Sequence, residues 1–351
     1  MTKRQGTWVA IILGGMALGG CAGDGPGATV AEADRPQIVA TSRVLCDLTQ
    51  QVAGDSLDLT CLLAPGQDPH TYQARPSDRQ AVEQADLVLY DGYGFAPSVT
   101  QVVVASQTVA PKVAVLERAV PDPLLGQGHD HDHDYDHDHA AEGDDPNHDD
   151  PPTAGGEPGA DDDPVPDPHV WHNARHNAAI VAVIAEALGD LNPEQADRYQ
   201  TQATQIADQF MALDGWIQAR VATVPPQHRR LVTPHDAFRY FATAYGLEVK
   251  GALSGLNTEA QPSPRALAAL VDQIRAAAVP AIFAESTTNP ALIQSVAANA
   301  GVAVADFPLM VEGPEGPESR AATTQAMLVV NTCTIVNALG GTCDEADSPL
   351  N

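Results

Sequence analysis

The chain reads as an α/β protein of two parallel-sheet lobes joined by one long helix. Three observations predict this. Short apolar runs alternate with helix-type segments from Pro36 to about residue 125, and the alternation resumes after Arg229, as expected for parallel strands whose faces are covered by helices. Between the two sets, apolar residues recur at Ile206, Phe210, Leu213, Trp216, Ile217 and Val221, one stripe of a single helix that Pro225-Pro226 stops. And 351 residues are enough chain for two core-forming units.

Lys3 and Arg4, the apolar run Trp8 to Leu18 and the small residues after it read as a secretory signal over residues 1–20, too short to span a bilayer comfortably. Cys21, directly after Leu18-Gly19-Gly20, resembles the lipidated cysteine of a bacterial lipobox, which would attach the chain to a membrane from outside the cytoplasm. Residues 21–35 are rich in Gly, Ala and Asp, a flexible tether.

The first lobe is expected over 36–191. Gln37–Thr41 reads as a strand, Val44–Ala53 as a helix and Leu57–Leu63 as a strand. Ser77 is a plausible N-cap for a helix over Arg79–Ala85. Leu87–Tyr90 and Lys112–Leu116 read as short buried strands flanking Val99–Ala105. Gly126 to Pro168 interrupts the order with HDHDHDYDHDH followed by a Pro/Gly/Asp tract that cannot bury a core, and the whole insert is expected to be disordered when metal-free. DPHVWHNARHN then opens a helix to about Leu188. Residues 192–224 form the linking helix, and 225–351 the second lobe. There, strands are expected at Arg230–Thr233, Leu247–Leu253, Ala281–Ala284 and Val302–Asp306. Helices are expected at Ala237–Tyr245, Pro264–Ala278, Pro290–Ala300 and Arg320–Leu339.

The formal charge is −28, and residues 126–167 hold fifteen Asp and Glu with no Lys or Arg. Nucleic acid is disfavoured as a partner, because phosphate binding needs a basic face. Outside the cytoplasm the even set Cys46, Cys61, Cys333 and Cys343 favours disulfides; Cys46 with Cys61 and Cys333 with Cys343 are the local pairings among three connectivities.

Three histidines share one setting. His70 follows a strand through proline-containing turns, His169 sits after Pro168 at a helix mouth, and His235 follows a strand through Pro234. Strand ends and helix mouths in two α/β units converge on the crevice between them. Three neutral imidazoles with a carboxylate or water suit tetrahedral Zn(II), whereas manganese prefers a carboxylate in place of one imidazole.

PGQDPHTYQARPSD, DPHVWHNA and HDAFRYFATAYGL with its preceding strand resemble, in order, the signatures of ZnuA-like solute-binding receptors of metal-importing ABC transporters, over about Pro36 to Leu339. The resemblance implies two α/β lobes, a rigid linking helix, and His70, His169 and His235 around a metal between the lobes. It makes Zn(II) the transported ligand and an ABC permease the partner. A histidine at the third position resembles the zinc members; manganese members usually place a glutamate there. The family's usual aspartate near the fourth ligand is absent from FPLMVEGPEGPES, and Glu312 falls nearest, with Asp306 a weaker candidate. Glu285 reads as a hydrogen-bonding group. His172 and His176 depart from the family pattern and are expected on the solvated side of a helix.

The insert histidines His129, His131, His133, His137 and His139, alternating with Asp, offer auxiliary weak metal sites. Each ligating imidazole must be neutral, so metal binding should weaken below about pH 6.5. The function expected is an extracytoplasmic, lipid-anchored, monomeric zinc receptor. The alternatives are a manganese receptor of the same family, a zinc-dependent hydrolase or a surface adhesin. No HExxH or GxSxG pattern supports an enzyme.

Overall fold

The computed structural model describes residues 35–126, 164–254, 258 and 263–350. Cys21 and the insert histidines His129, His131, His133, His137 and His139 fall outside them, as do the signal and nearly all of the tether.

The first lobe is built on β1 (Gln37–Ala40), β2 (Asp58–Cys61), β3 (Leu87–Tyr90) and β4 (Lys112–Ala114), all parallel in the order β2-β1-β3-β4. Its helices are α1 (Arg43–Ala53), α2 (Pro76–Gln84), α3 (Pro97–Ala105) and α4 (Val115–Ala119). Side chains alternate across this sheet. Ile38, Ala40, Leu87 and Leu89 enter the main core, while Val39 and Val88 enter a separate cluster with Val82, Val99 and Val103 from α2 and α3. Burial on both faces is what a parallel sheet requires.

The second lobe repeats the plan with β7 (Arg230–His235), β8 (Glu248–Ser254), β9 (Ala281–Ile282) and β10 (Ala303–Val304), and with α7 (Arg239–Tyr245), α8 (Pro264–Ala277) and α9 (Pro290–Ala300). β7 pairs with β8 and β9 with β10, both in parallel, and Phe283 N–H to Val232 O at 3.2 Å sets β9 beside β7. The same alternation recurs: Leu231 and Phe283 face the main core, Val232 and Ile282 the cluster under α8 and α9.

Between the sheets run α5 (Ala174–Leu191), α6 (Ala196–Val221) and α10 (Thr324–Ala338). The 26 residues of α6 span about 39 Å at about 1.5 Å per residue. Tyr199, Ala203, Ile206, Phe210, Leu213, Ile217 and Val221 form its buried stripe, as the apolar spacing predicts. One core thus runs through both lobes, with strand, α6 and α10 side chains in a single cluster.

Several boundaries differ from the sequence reading. Pro76, not Arg79, begins α2, so Ser77 lies inside the helix; the cap comes from Asp78, whose Oδ2 accepts the Arg75 N–H at 2.7 Å. Lys112–Leu116 splits into β4 and α4. α10 starts at Thr324, because the Thr323 side chain accepts from Ala326 N–H at 3.1 Å. The ends of the insert are built structure: β5 (Leu125–Gly126) pairs antiparallel with β6 (Val165–Pro166), a stem that closes its base. Disulfides join Cys46 to Cys61 and Cys333 to Cys343, selecting the local connectivity.

Candidate metal centre

His70 stands in the loop that leaves β2. Gly66 turns the chain at φ 75°, a conformation cheap only for glycine. The carboxylate of Asp68 accepts the His70 N–H at 2.9 Å, and the ring packs edge-on against Phe95 at 5.3 Å. His169 precedes a single 3-10 turn at Val170–His172. Asp167 Oδ1 meets its backbone N–H at 3.0 Å and its Nδ1 at 2.9 Å. His235 is the last residue of β7, at the carboxyl edge of its sheet. Glu285 takes its N–H on Oε1 at 3.1 Å and its Nδ1 on Oε2 at 2.7 Å. A ring that donates Nδ1–H to a carboxylate is held as the tautomer whose Nε2 lone pair is free.

Glu312 lies on the chain between β10 and α10. Asn331 exchanges two hydrogen bonds with the Met310 backbone at 2.9 and 2.7 Å. Trp171 Nε1 donates to Val311 O at 3.0 Å. The carboxylate so placed is buried, and neither oxygen has a hydrogen-bond partner.

These four side chains meet. His169 Nε2 lies 3.3 Å from His70 Nε2 and 3.4 Å from His235 Nε2. Glu312 Oε1 lies 3.7 Å from His70 Nε2 and 3.4 Å from His235 Nε2. All four ligand atoms fall within 4.8 Å of one another, the one such group among the described residues. Two atoms bound tetrahedrally at about 2.0–2.1 Å sit about 3.3–3.4 Å apart; the His169–His70, His169–His235 and His235–Glu312 edges have that length, and the Glu312–His70 edge at 3.7 Å is a little longer.

Taken as protein groups alone, the cluster is poised to exchange protons for an ion. Burial pushes Glu312 up to about 8. Burial pulls His235 down, but the carboxylates of Glu285, Glu312 and Asp68 outweigh it and hold the imidazole up at about 9. Burial, then the charge of His235, keeps His169 well below its ordinary value, and burial raises Asp167 to about 7. The expectation of weakening only below pH 6.5 is therefore too low for His235, because that expectation left out the three carboxylates.

Asp306 is exposed and outside the cluster. Glu285 contacts it only as a hydrogen-bond partner of His235. The solvated placement of His172 and His176 is corrected: His172 is 0 % exposed and stacked on Phe238 at 4.3 Å. His176 is half-buried, edge-on to Tyr240, with Nδ1 3.1 Å from Val170 O. α7 packs against the 3-10 turn that carries His172. Asp68 and Asp167 carry no role in the sequence reading, although the repeated Asp-Pro-His that contains them was visible there.

The model of a family described as "Zinc-uptake complex component A periplasmic" (ZnuA) matches residues 38–338. The chain is 28% identical over 293 residues to the manganese-binding lipoprotein MntA of Bacillus subtilis, covering 84% of each chain. It is 25% identical to a streptococcal manganese ABC transporter substrate-binding lipoprotein, PsaA of Streptococcus mitis, over 86% of this chain and 88% of that one. Among solved structures, the periplasmic zinc binding protein TroA of Treponema pallidum superposes with a TM-score of 0.73 at 25% identity, over 87% of this chain and 99% of that one.

Proposed function

The chain belongs to the ZnuA family of metal-binding receptors of ABC importers, and on that premise we propose that its cargo is Zn(II), held by His70, His169, His235 and Glu312. Members of this family are extracytoplasmic binding proteins that work with a membrane permease, not enzymes. The observation that carries the zinc reading is the donor set: three buried imidazoles and one buried carboxylate whose ligand atoms lie within 4.8 Å of one another, three of the pairs at 3.3–3.4 Å. Manganese favours more oxygen donors and a higher coordination number, and a histidine occupies the position where the manganese members usually carry a carboxylate.

Each residue has a role in capture. Asp167 and Glu285 orient His169 and His235 so that Nε2 faces the ion. Glu312 accepts no hydrogen bond, and the charge of His235 offsets its desolvation only in part, so an arriving cation completes the compensation. The ion displaces the protons that His235 and Glu312 hold, which ties capture to pH. In this reading residues 36–191 and 225–351 are the two lobes, residues 192–224 link them, the protein acts as a monomer, and lipidated Cys21 is the anchor. The insert histidines supply weak sites that raise local zinc near the mouth.

Competitive titration of the mature protein with zinc and manganese tests the proposal. One tight zinc site, with manganese displaced at equal concentration, is the expected result. The names of MntA and PsaA favour the manganese reading, and tighter binding of manganese would establish it instead.

A further inference from the structure

Both first-lobe histidines of the cluster are delivered by the same tripeptide, Asp68-Pro69-His70 and Asp167-Pro168-His169. In each, aspartate Oδ1 accepts the N–H of the histidine two residues on, at 2.9 and 3.0 Å, a side-chain turn that aims the imidazole. In each, the aspartate is also tied to the other lobe. The hydroxyl of Thr258 donates to Asp68 Oδ2. The hydroxyl of Tyr240 on α7 donates to the Asp167 carbonyl at 3.0 Å and accepts the Leu124 N–H at 2.9 Å. Beside it, Arg239 donates to Leu125 O at 2.7 Å, and Asp167 N–H reaches Leu124 O at 2.7 Å. Both sides of the insert's stem are thereby fastened to the second lobe, two residues before His169.

None of these crossing bonds touches a ligand atom of the cluster. They join the turn that aims each first-lobe histidine to the lobe that supplies His235 and Glu312. We infer that the two Asp-Pro-His turns couple ligand aim to lobe contact, with Tyr240 and Thr258 as the positioning residues that slow escape of the ion. The inference rests on the receptor reading above. Drawing the lobes apart breaks the crossing bonds first, the turns relax, and His70 and His169 swing off the ion. A permease that separates the lobes would then empty the site without competing for the metal ligand by ligand.

The test uses the full mature chain with Tyr240→Phe and Thr258→Val, each of which removes a hydroxyl and leaves the Asp-Pro-His turn in place. Zinc release into excess chelator is followed by stopped flow, with association rate, Co(II) absorption and ion-free melting measured alongside. Loss of one hydrogen bond in Thr258→Val predicts release on the order of two- to ten-fold faster, and loss of two in Tyr240→Phe predicts release faster by at least as much. Association, the four-coordinate Co(II) spectrum and ion-free melting should match the unaltered protein. Should Tyr240→Phe not fold, Thr258→Val carries the same expectation. Unchanged release in the folded variants overturns the inference and leaves the receptor reading standing. So does faster release accompanied by a fall in ion-free melting, which marks a merely structural role. An unaltered chain that takes up no ion overturns both.

Discussion

Glu285 grips His235 through both the backbone N–H and the ring Nδ1, and its charge is the first of the carboxylates that lift His235 against the pull of burial. Replacing it with glutamine keeps the shape and removes the charge. Zinc affinity should fall about 10- to 100-fold, and His235 should hold its proton less firmly. Fewer protons would then leave per ion bound at pH 7, which calorimetric titration in buffers of different ionisation enthalpy reads directly. Unchanged affinity and proton release would remove Glu285 from the account. His235, together with Glu312, also sets the pH dependence of stability. His235 and Glu312 lie above their ordinary values of 6.5 and 4.5, so in the ion-free protein their protonation favours the folded state. That contribution is complete below the ordinary values and is lost as pH rises through about 8 for Glu312 and about 9 for His235. Ion-free melting temperature should therefore drop between pH 6.5 and 9, while the gain on adding zinc widens. A flat or rising ion-free profile over that window would contradict the assignment. His169 acts in the opposite sense, since its lowered value costs stability only under acid conditions.

At the scale of elements, α6 packs one stripe against α1, α5 and α10, and Phe210 at its middle is 0 % exposed. Phe210→Ala should cost about 3–5 kcal/mol. Because the core it enters includes residues of both sheets, calorimetry should show one transition moved to lower temperature. Two separating transitions would mean that the lobes hold independent cores. This stripe was legible from the sequence, as were most strands and helices, because period and turn chemistry are local. What the sequence left obscure needs partners from distant chain. β9 and β10 are only two residues each, held by neighbours more than by their own β propensity. His172 is buried because α7 and Phe238 close over it. Asp167 looks like the last charge of an acidic tract until the stem places it under His169. His70, His169 and His235 could be grouped in advance because each follows a strand or a proline turn toward the crevice, and Glu312 was added because it falls nearest the family's fourth-ligand position; that their nitrogen and oxygen atoms meet could not be read.

For the molecule as a whole, the stem changes how the acidic insert can be removed. Excision of Gly126 to Pro168 would take Asp167 and Pro168 with it and disturb His169. Excision of residues 127–163 leaves β5, β6 and the turn intact. The shorter deletion should abolish several weak zinc sites and preserve one tight site, counted by titration; loss of the tight site would move the ligands from the lobes to the insert. The two disulfides belong to the same picture. Cys46–Cys61 ties α1 to the strand from which the His70 loop departs, and Cys333–Cys343 ties α10 to the C-terminal segment, covalent bonds suited to an oxidising compartment.

The most direct measurement is anomalous diffraction at the zinc edge from crystals of the loaded protein. A single strong peak about 2.0–2.1 Å from Nε2 of His70, His169 and His235 and from a Glu312 oxygen is the result expected. A peak coordinated elsewhere, or a shell that excludes any of these imidazoles, would contradict it.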